Sequence, residues 1–142
     1  MSLPVAPAAG PRPSLPQLLC GSFGFLTAVL LLRLPLHRTT ALVRLLHRLP
    51  LREPEQPRAA GMVQAARSAG AWWPGRAACL ETSLAASLAA VAQGYRLSWC
   101  LGVRFLPPPR IHHAWVETAS GPTGESETVL PHGWPYATAL RV

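Results

Sequence analysis

Hydrophobic positions along this chain change their period once, near residue 94. Leu80, Leu84, Leu88 and Val91 recur at helical spacing within Ala78–Gln93, and Gly94 closes that run. Tyr95, Leu97, Trp99, Leu101 and Val103 then alternate with Arg96, Ser98, Cys100, Gly102 and Arg104. A period of two predicts a half-buried strand. Pro107–Pro109 break it, and Ile111–Thr118 reads as a second strand. A Gly/Ser/Thr loop over Ala119–Gly124 turns the chain into an expected third strand, Glu125–Leu130. A helix followed by an antiparallel meander predicts the α+β class, with a central helix packed on a small antiparallel sheet.

The first half is helical and irregular by turns. Residues 1–16 hold five prolines among small residues and read as a disordered tail. Leu18–Leu32 is strongly apolar, and no charge falls between Arg12 and Arg33. Even the uncharged stretch Ser14–Leu32 would span only ~28 Å as a helix, short of a hydrocarbon core of about 30 Å. It therefore reads as a helix that is buried or touches a membrane through residues 18–32. Thr39-Thr40 supplies a helix start and Pro50 a stop, with Leu42, Leu45, Leu46 and Leu49 as a core-facing stripe opposite Arg44 and Arg48. Leu51–Arg58 reads as a linker, and Ala59–Ser68 as a shorter helix ended by Gly70 and Pro74. The organisation expected is a tail (1–16), N-terminal apolar and amphipathic helices (17–58) and a core (59–142).

Composition narrows the chemistry. The 142 residues amount to one domain, and only 13% are charged. Every base among the thirteen is arginine and every acid among the six is glutamate. A Schiff-base lysine and an aspartate-ligated metal are excluded. The net charge of +7 would suit an anionic partner, but the arginines run from Arg12 to Arg141 without a basic cluster, zinc-finger spacing or phosphate loop. Solvated arginines, and no nucleic-acid partner, are the expectation. Cys20, Cys79 and Cys100 are odd in number and lack C-x-x-C spacing, which argues against a disulfide framework or a structural zinc and for a reducing, cytoplasmic setting.

Cys79 stands at the first turn of the expected helix, behind Trp72-Trp73-Pro74-Gly75-Arg76. A thiol at a helix N-terminus feels the positive end of the helix dipole, which favours the thiolate. A lone cysteine there can equally be a small buried hydrophobe. His112 and His113 lie about thirty-five residues on, on opposite faces of one strand. A cysteine and a histidine so placed are two halves of a thiolate–imidazole pair, although spacing alone does not establish contact. Backbone amides at the helix start could receive an oxyanion, with the indole of Trp73 or Trp72 as a second donor or as simple packing.

The run PGRAACLETSLAASLAAVAQGYRLSWCLGVR followed by IHHAWVE resembles the lasso peptide biosynthesis leader-peptidase family, a branch of the transglutaminase-like cysteine proteases. A C-L-x-x-S-L-A block corresponds to Cys79–Ala85, a G-V-R block to Gly102–Arg104 and an H-A-W-V-E block to His113–Glu117. Tyr136–Leu140 resembles the family's tail, so the resemblance covers residues 60–142, whereas 18–50 match in style only.

The resemblance implies a transglutaminase-like, papain-like core, with Cys79 as nucleophile and His113 as general base. The implied reaction removes the leader from a ribosomally made precursor peptide, with no cofactor and no metal, before a separate ATP-dependent cyclase acts. The family's third member is usually an aspartate after the histidine strand, and this chain has none. Glu127 is the favoured substitute, ahead of Glu125 and His132, and Glu117 is read as structural. A separate leader-binding protein is expected to present the substrate. A protease-like scaffold subunit and a transglutaminase-like acyltransferase are the alternative readings.

Overall fold

The computed structural model describes residues 12–75, 78–105, 108–124 and 134–142. Four helices precede and cover a four-stranded antiparallel sheet, so the α+β class holds.

Helix α1 (Leu15–Leu31) begins inside what reads as tail. The Ser14 hydroxyl accepts the Gln17 amide while the Gln17 carboxamide accepts the Ser14 amide at 2.9 Å, a capping box that starts the helix. Gly21 and Gly24 face inward. A Cβ on Gly24 would lie 2.5 Å from the Ala85 carbonyl oxygen, and one on Gly21 would lie 2.8 Å from the Ala65 backbone. These glycines let α1 lie directly against the two helices behind it. The opposite side of α1 presents Leu15, Leu19, Phe23, Leu26 and Leu30, each at least 55% exposed. No described helix is long and apolar enough to cross a membrane.

Helix α2 (Leu36–Leu46) corrects the expected stripe. Leu42, Leu45 and Leu49 are exposed, Leu46 alone of the stripe packs against the core, and the buried positions are Thr39, Thr40, Val43 and His47. The helix starts after Pro35, and its buried face is turned roughly a third of a turn from the leucines at ~100° per residue. Hydroxyls make this possible: Thr39 donates to the Leu31 carbonyl at 2.9 Å and Thr40 to the His37 carbonyl at 3.0 Å. Satisfied hydroxyls can be buried at little cost. The Arg96 guanidinium donates to the His47 carbonyl, tying the end of α2 to the segment before the sheet.

Helix α3 (Gln56–Ala71) takes in the end of the expected linker, with Pro57 in its first turn where no helical N–H is needed. Helix α4 (Cys79–Ala92) is the centre of the molecule. Its whole run from Ser83 to Ala90 is buried, far more than a single leucine stripe. Alanine and serine on its remaining sides leave room for α1 and α3. Leu84, Leu97 and Met62 are fully buried here and contribute roughly 1.5–3 kcal/mol each.

The sheet order is β3-β2-β1-β4, from β1 (Ser98–Arg104), β2 (Ile111–Thr118), β3 (Gly121–Thr123) and β4 (Ala137–Arg141). β1 starts later than the alternation suggests, because Tyr95 closes α4 by donating to the Ala90 carbonyl at 2.8 Å and Gly94 turns at φ 83°. β3 lies inside the segment expected to be loop, whereas the expected strand Glu125–Leu130 falls outside the described residues. The family-like tail is β4, which pairs with the free side of β1.

Both faces of β1 and β2 are covered, not one. Leu97, Trp99 and Val116 face α4, and the Trp99 indole donates to the Ser83 hydroxyl at 3.0 Å. On the other face Trp115 is buried against Trp134 and Tyr136, and its indole donates to Glu117 at 2.8 Å. Arg141 of β4 pairs with the same Glu117 carboxylate. Glu117 thus joins β4 to β2 across β1.

Candidate active site

The N-terminus of α4 has no side-chain cap, since Ala78 occupies the cap position. Glu81 accepts the Ala78 amide at 3.0 Å, and the following first-turn amides keep their donors free of helical partners. Cys79 opens the helix there, partly buried.

β3 pairs only with Val116–Thr118, so no described strand covers the same edge of β2 from Ile111 to Ala114. The first turn of α4 meets β2 at this uncovered edge. His113 hydrogen-bonds the Cys79 sulfur, and the backbone amide of Ala114 also reaches it. Together these hold the thiol pKa below its ordinary value. The His113 hydrogen bond is the largest cause, and burial opposes it. Cys79's own amide adds in the same direction, as expected at the positive end of a helix.

Strand parity alone does not select His113 over His112. By parity His113 lies with Trp115 and Glu117, on the face turned away from α4. It reaches Cys79 because the contact is made at the sheet edge. Its imidazole stacks on Trp115, with ring centroids 5.9 Å apart and planes 17° from parallel, and meets Tyr136 at 4.8 Å. His112 is exposed.

The other cysteines sit in different surroundings. Cys100 is fully buried, and burial together with the Glu117 carboxylate pushes its thiol up to about 11. Cys20 lies on α1. Of the proposed oxyanion donors, Trp72 is 90% exposed and turned to solvent. Trp73 packs edge-on against Phe25 at 5.9 Å and also borders the cleft beside Cys79. Glu127, Glu125 and His132 lie outside the described residues.

Sequence reasoning missed the Ala114 amide and the ring of Tyr136. A backbone donor leaves no mark in a sequence. Tyr136 was visible only as part of a tail motif, and nothing in the pattern placed it over a histidine.

Besides a narrow space of about 30 Å³ lined by Thr82, His113 and Trp115, two larger hollows open at the thiol. One, of about 310 Å³, is walled mainly by apolar side chains of α4, β1 and β4. The other, of about 550 Å³, is wider and includes Arg67, Trp73 and Thr82. A thiol with a depressed pKa, an imidazole on its sulfur and access from two sides has what acyl transfer through a thioester requires. Among the described residues no group of three His, Cys, Asp or Glu is placed to hold a metal.

Comparison with curated proteins finds no match, and neither does comparison with solved structures. The family model of the transglutaminase-like superfamily matches residues 24–132, from within α1 through the histidine strand and beyond. Cysteine at the start of the central helix, histidine on the adjoining strand and a match over most of the chain agree: the protein belongs to the transglutaminase-like superfamily.

Proposed function

We propose that this protein is a cysteine peptidase that removes the leader from a ribosomally synthesised lasso precursor peptide. The observation that carries the reading is the hydrogen bond between His113 and Cys79 at the start of α4. The resemblance of the C-L-x-x-S-L-A, G-V-R and H-A-W-V-E blocks to leader peptidases is what supports leader removal as the form of that acyl transfer.

In this mechanism the Cys79 thiolate attacks the carbonyl carbon of the last leader residue, forming a C–S bond. The oxyanion is received by amides at the α4 N-terminus. The C–N bond then breaks, and the imidazolium of His113 gives its proton to the departing amine. Water, deprotonated by His113, attacks the thioester and frees the leader acid and the thiol. Glu127 is proposed to orient His113, with Glu125 and His132 as alternatives. The freed core peptide would pass to a separate ATP-dependent cyclase, and a separate leader-binding protein would present the precursor.

Incubating a lasso precursor with this protein and a leader-binding partner, followed by mass spectrometry, tests the reading. Cleavage into leader and core that disappears in Cys79→Ala is the expected result. An intact precursor with the active partner present overturns it. The wider hollow beside the thiol keeps transfer to an amine as a second reading, which an amine adduct on the acyl product would reveal. The His113–Cys79 hydrogen bond supports chemistry at this site over a scaffold role.

A further inference from the structure

The smaller hollow beside Cys79 has a composition that the reaction itself does not require. Leu80 of α4, Leu101 and Val103 of β1, Ala114 of β2 and Ala139 of β4 wall it, and Cys79, His112 and His113 stand at its border. Leu101 pairs with Ala114, so they share one face of the sheet, which is also the face turned to α4. Leu80, Leu101 and Val103 are only partly buried, so they keep apolar surface open to solvent in a concave site. Large apolar side chains elsewhere on the α4 side, such as Leu84, Leu97 and Trp99, are fully covered.

Two features keep this space open. β4 contributes only Ala139, and Ala114 of β2 likewise has no side chain beyond Cβ, while His112 and His113 complete the β2 side. The β1–β4 register also shifts between Leu101 and Gly102, so that Leu101 pairs with Leu140, Gly102 with Thr138, and Ala139 has no partner. Such irregularities bend a strand and re-aim its side chains. Here the shift leaves Ala139 on the rim of the hollow instead of a bulkier neighbour.

We propose that this pocket receives one large apolar side chain of the substrate, of the Leu, Ile, Met or Phe kind, on the acyl side of the bond that is cut. The proposal rests on Cys79 being the nucleophile. The acyl part stays bonded to the sulfur after the amine leaves, so it needs a site built around the thiol. The pocket meets that need, because its walls include Cys79, the next residue Leu80, and Ala114, whose amide touches the sulfur. About 310 Å³ is room enough to admit one large side chain. The wider hollow, with Arg67 and Thr82, lies on the other side of the thiol and is left to the departing peptide.

Peptidyl chloromethyl ketones test this, because everything they carry lies on the acyl side of the attacked carbon. A series differing only in the two side chains nearest the warhead, each varied through Leu, Phe, Ala and Glu, is reacted with the full chain. Alkylation of Cys79 is followed by mass spectrometry, with iodoacetamide as the side-chain-free control. Leu or Phe at one of these positions should react at least about tenfold faster than Ala, with Glu slower still. Ala139→Leu should remove that preference and leave the iodoacetamide rate unchanged. Equal rates across the series, or a preference for Glu, overturn the pocket while leaving the nucleophile in place. If Cys79 resists even iodoacetamide, the nucleophile reading fails and the pocket proposal with it. The series on the unaltered protein decides the question should Ala139→Leu not fold.

Discussion

Gly102 and Trp115 occupy one space. A Cβ on Gly102 would lie 2.7 Å from the Trp115 ring and 2.4 Å from the Ala137 carbonyl oxygen. Gly102 is also the cross-strand partner of His113, whose imidazole stacks on Trp115. The missing side chain lets the indole lie flat on β1, which in turn gives His113 a surface to rest against. Gly102→Ala must therefore move either the indole or β4. We expect a loss of thermal stability of about 1–3 kcal/mol, the usual range for overpacking, together with slower alkylation of Cys79. Thermal melts and iodoacetamide kinetics would show it, and an unchanged melt would contradict this packing.

The three cysteines should separate by pH. Depression of the Cys79 pKa means that its thiolate is already populated where an ordinary thiol is protonated, so its alkylation should reach half-maximal rate at lower pH than a free thiol. Cys100, buried and pushed up to about 11, should stay unlabelled at neutral pH. Peptide mapping after brief iodoacetamide treatment reads both. His113→Ala removes the largest cause of the depression and should move the Cys79 profile to higher pH.

Cys79→Ala should abolish leader removal, and Cys20→Ala and Cys100→Ala should retain most of it. His113→Ala should lower turnover by orders of magnitude. His112 is exposed and makes no contact with the thiol that lowers its pKa, so His112→Ala should be mild. Equal losses from the two histidine variants, both folded by circular dichroism, would remove His113 from its role.

An imidazole that works with a thiolate needs its second nitrogen held. Glu127→Gln is expected to lower kcat by a factor on the order of ten with little change in KM, and Glu125→Gln to be near neutral. Parental rates in both, with failure of His132→Ala, would assign the role to His132.

We propose that the membrane contact expected of residues 18–32 is made by the outward stripe of α1, on an anionic surface. Residues 12–52 carry Arg12, Arg33, Arg38, Arg44, Arg48 and Arg52, with no acid among them. The protein should float with anionic vesicles and not with zwitterionic ones, and Phe23→Glu should weaken that binding. Phe23 is 64% exposed, so the same change should leave stability within about 0.5 kcal/mol. Equal flotation with both vesicle types would argue against the charge-assisted contact.

The sequence by itself determined the helix that carries Cys79 and the strand that carries His113. Each has a strong local signal: a leucine period ended by Gly94, and a β-branched and aromatic run that starts after Pro107–Pro109. The α+β class followed from the change of period. Tertiary structure decided what periodicity cannot express. It buried Thr39, Thr40 and His47 where Leu42, Leu45 and Leu49 were expected, leaving only Leu46 of that stripe against the core, because hydroxyls satisfied within the chain can face inward. It covered both faces of a sheet whose alternation suggested one, because Trp134 and Tyr136 come back from far along the chain to lie on Trp115. It also joined His113 to Cys79 at a sheet edge, where side chains of either parity can reach, so the pairing depended on where β3 stops and not on which face the histidine occupies. Local sequence sets the period of each element. Which edge stays open and which face finds a cover depend on residues distant in the chain, and that information exists only once the elements have packed.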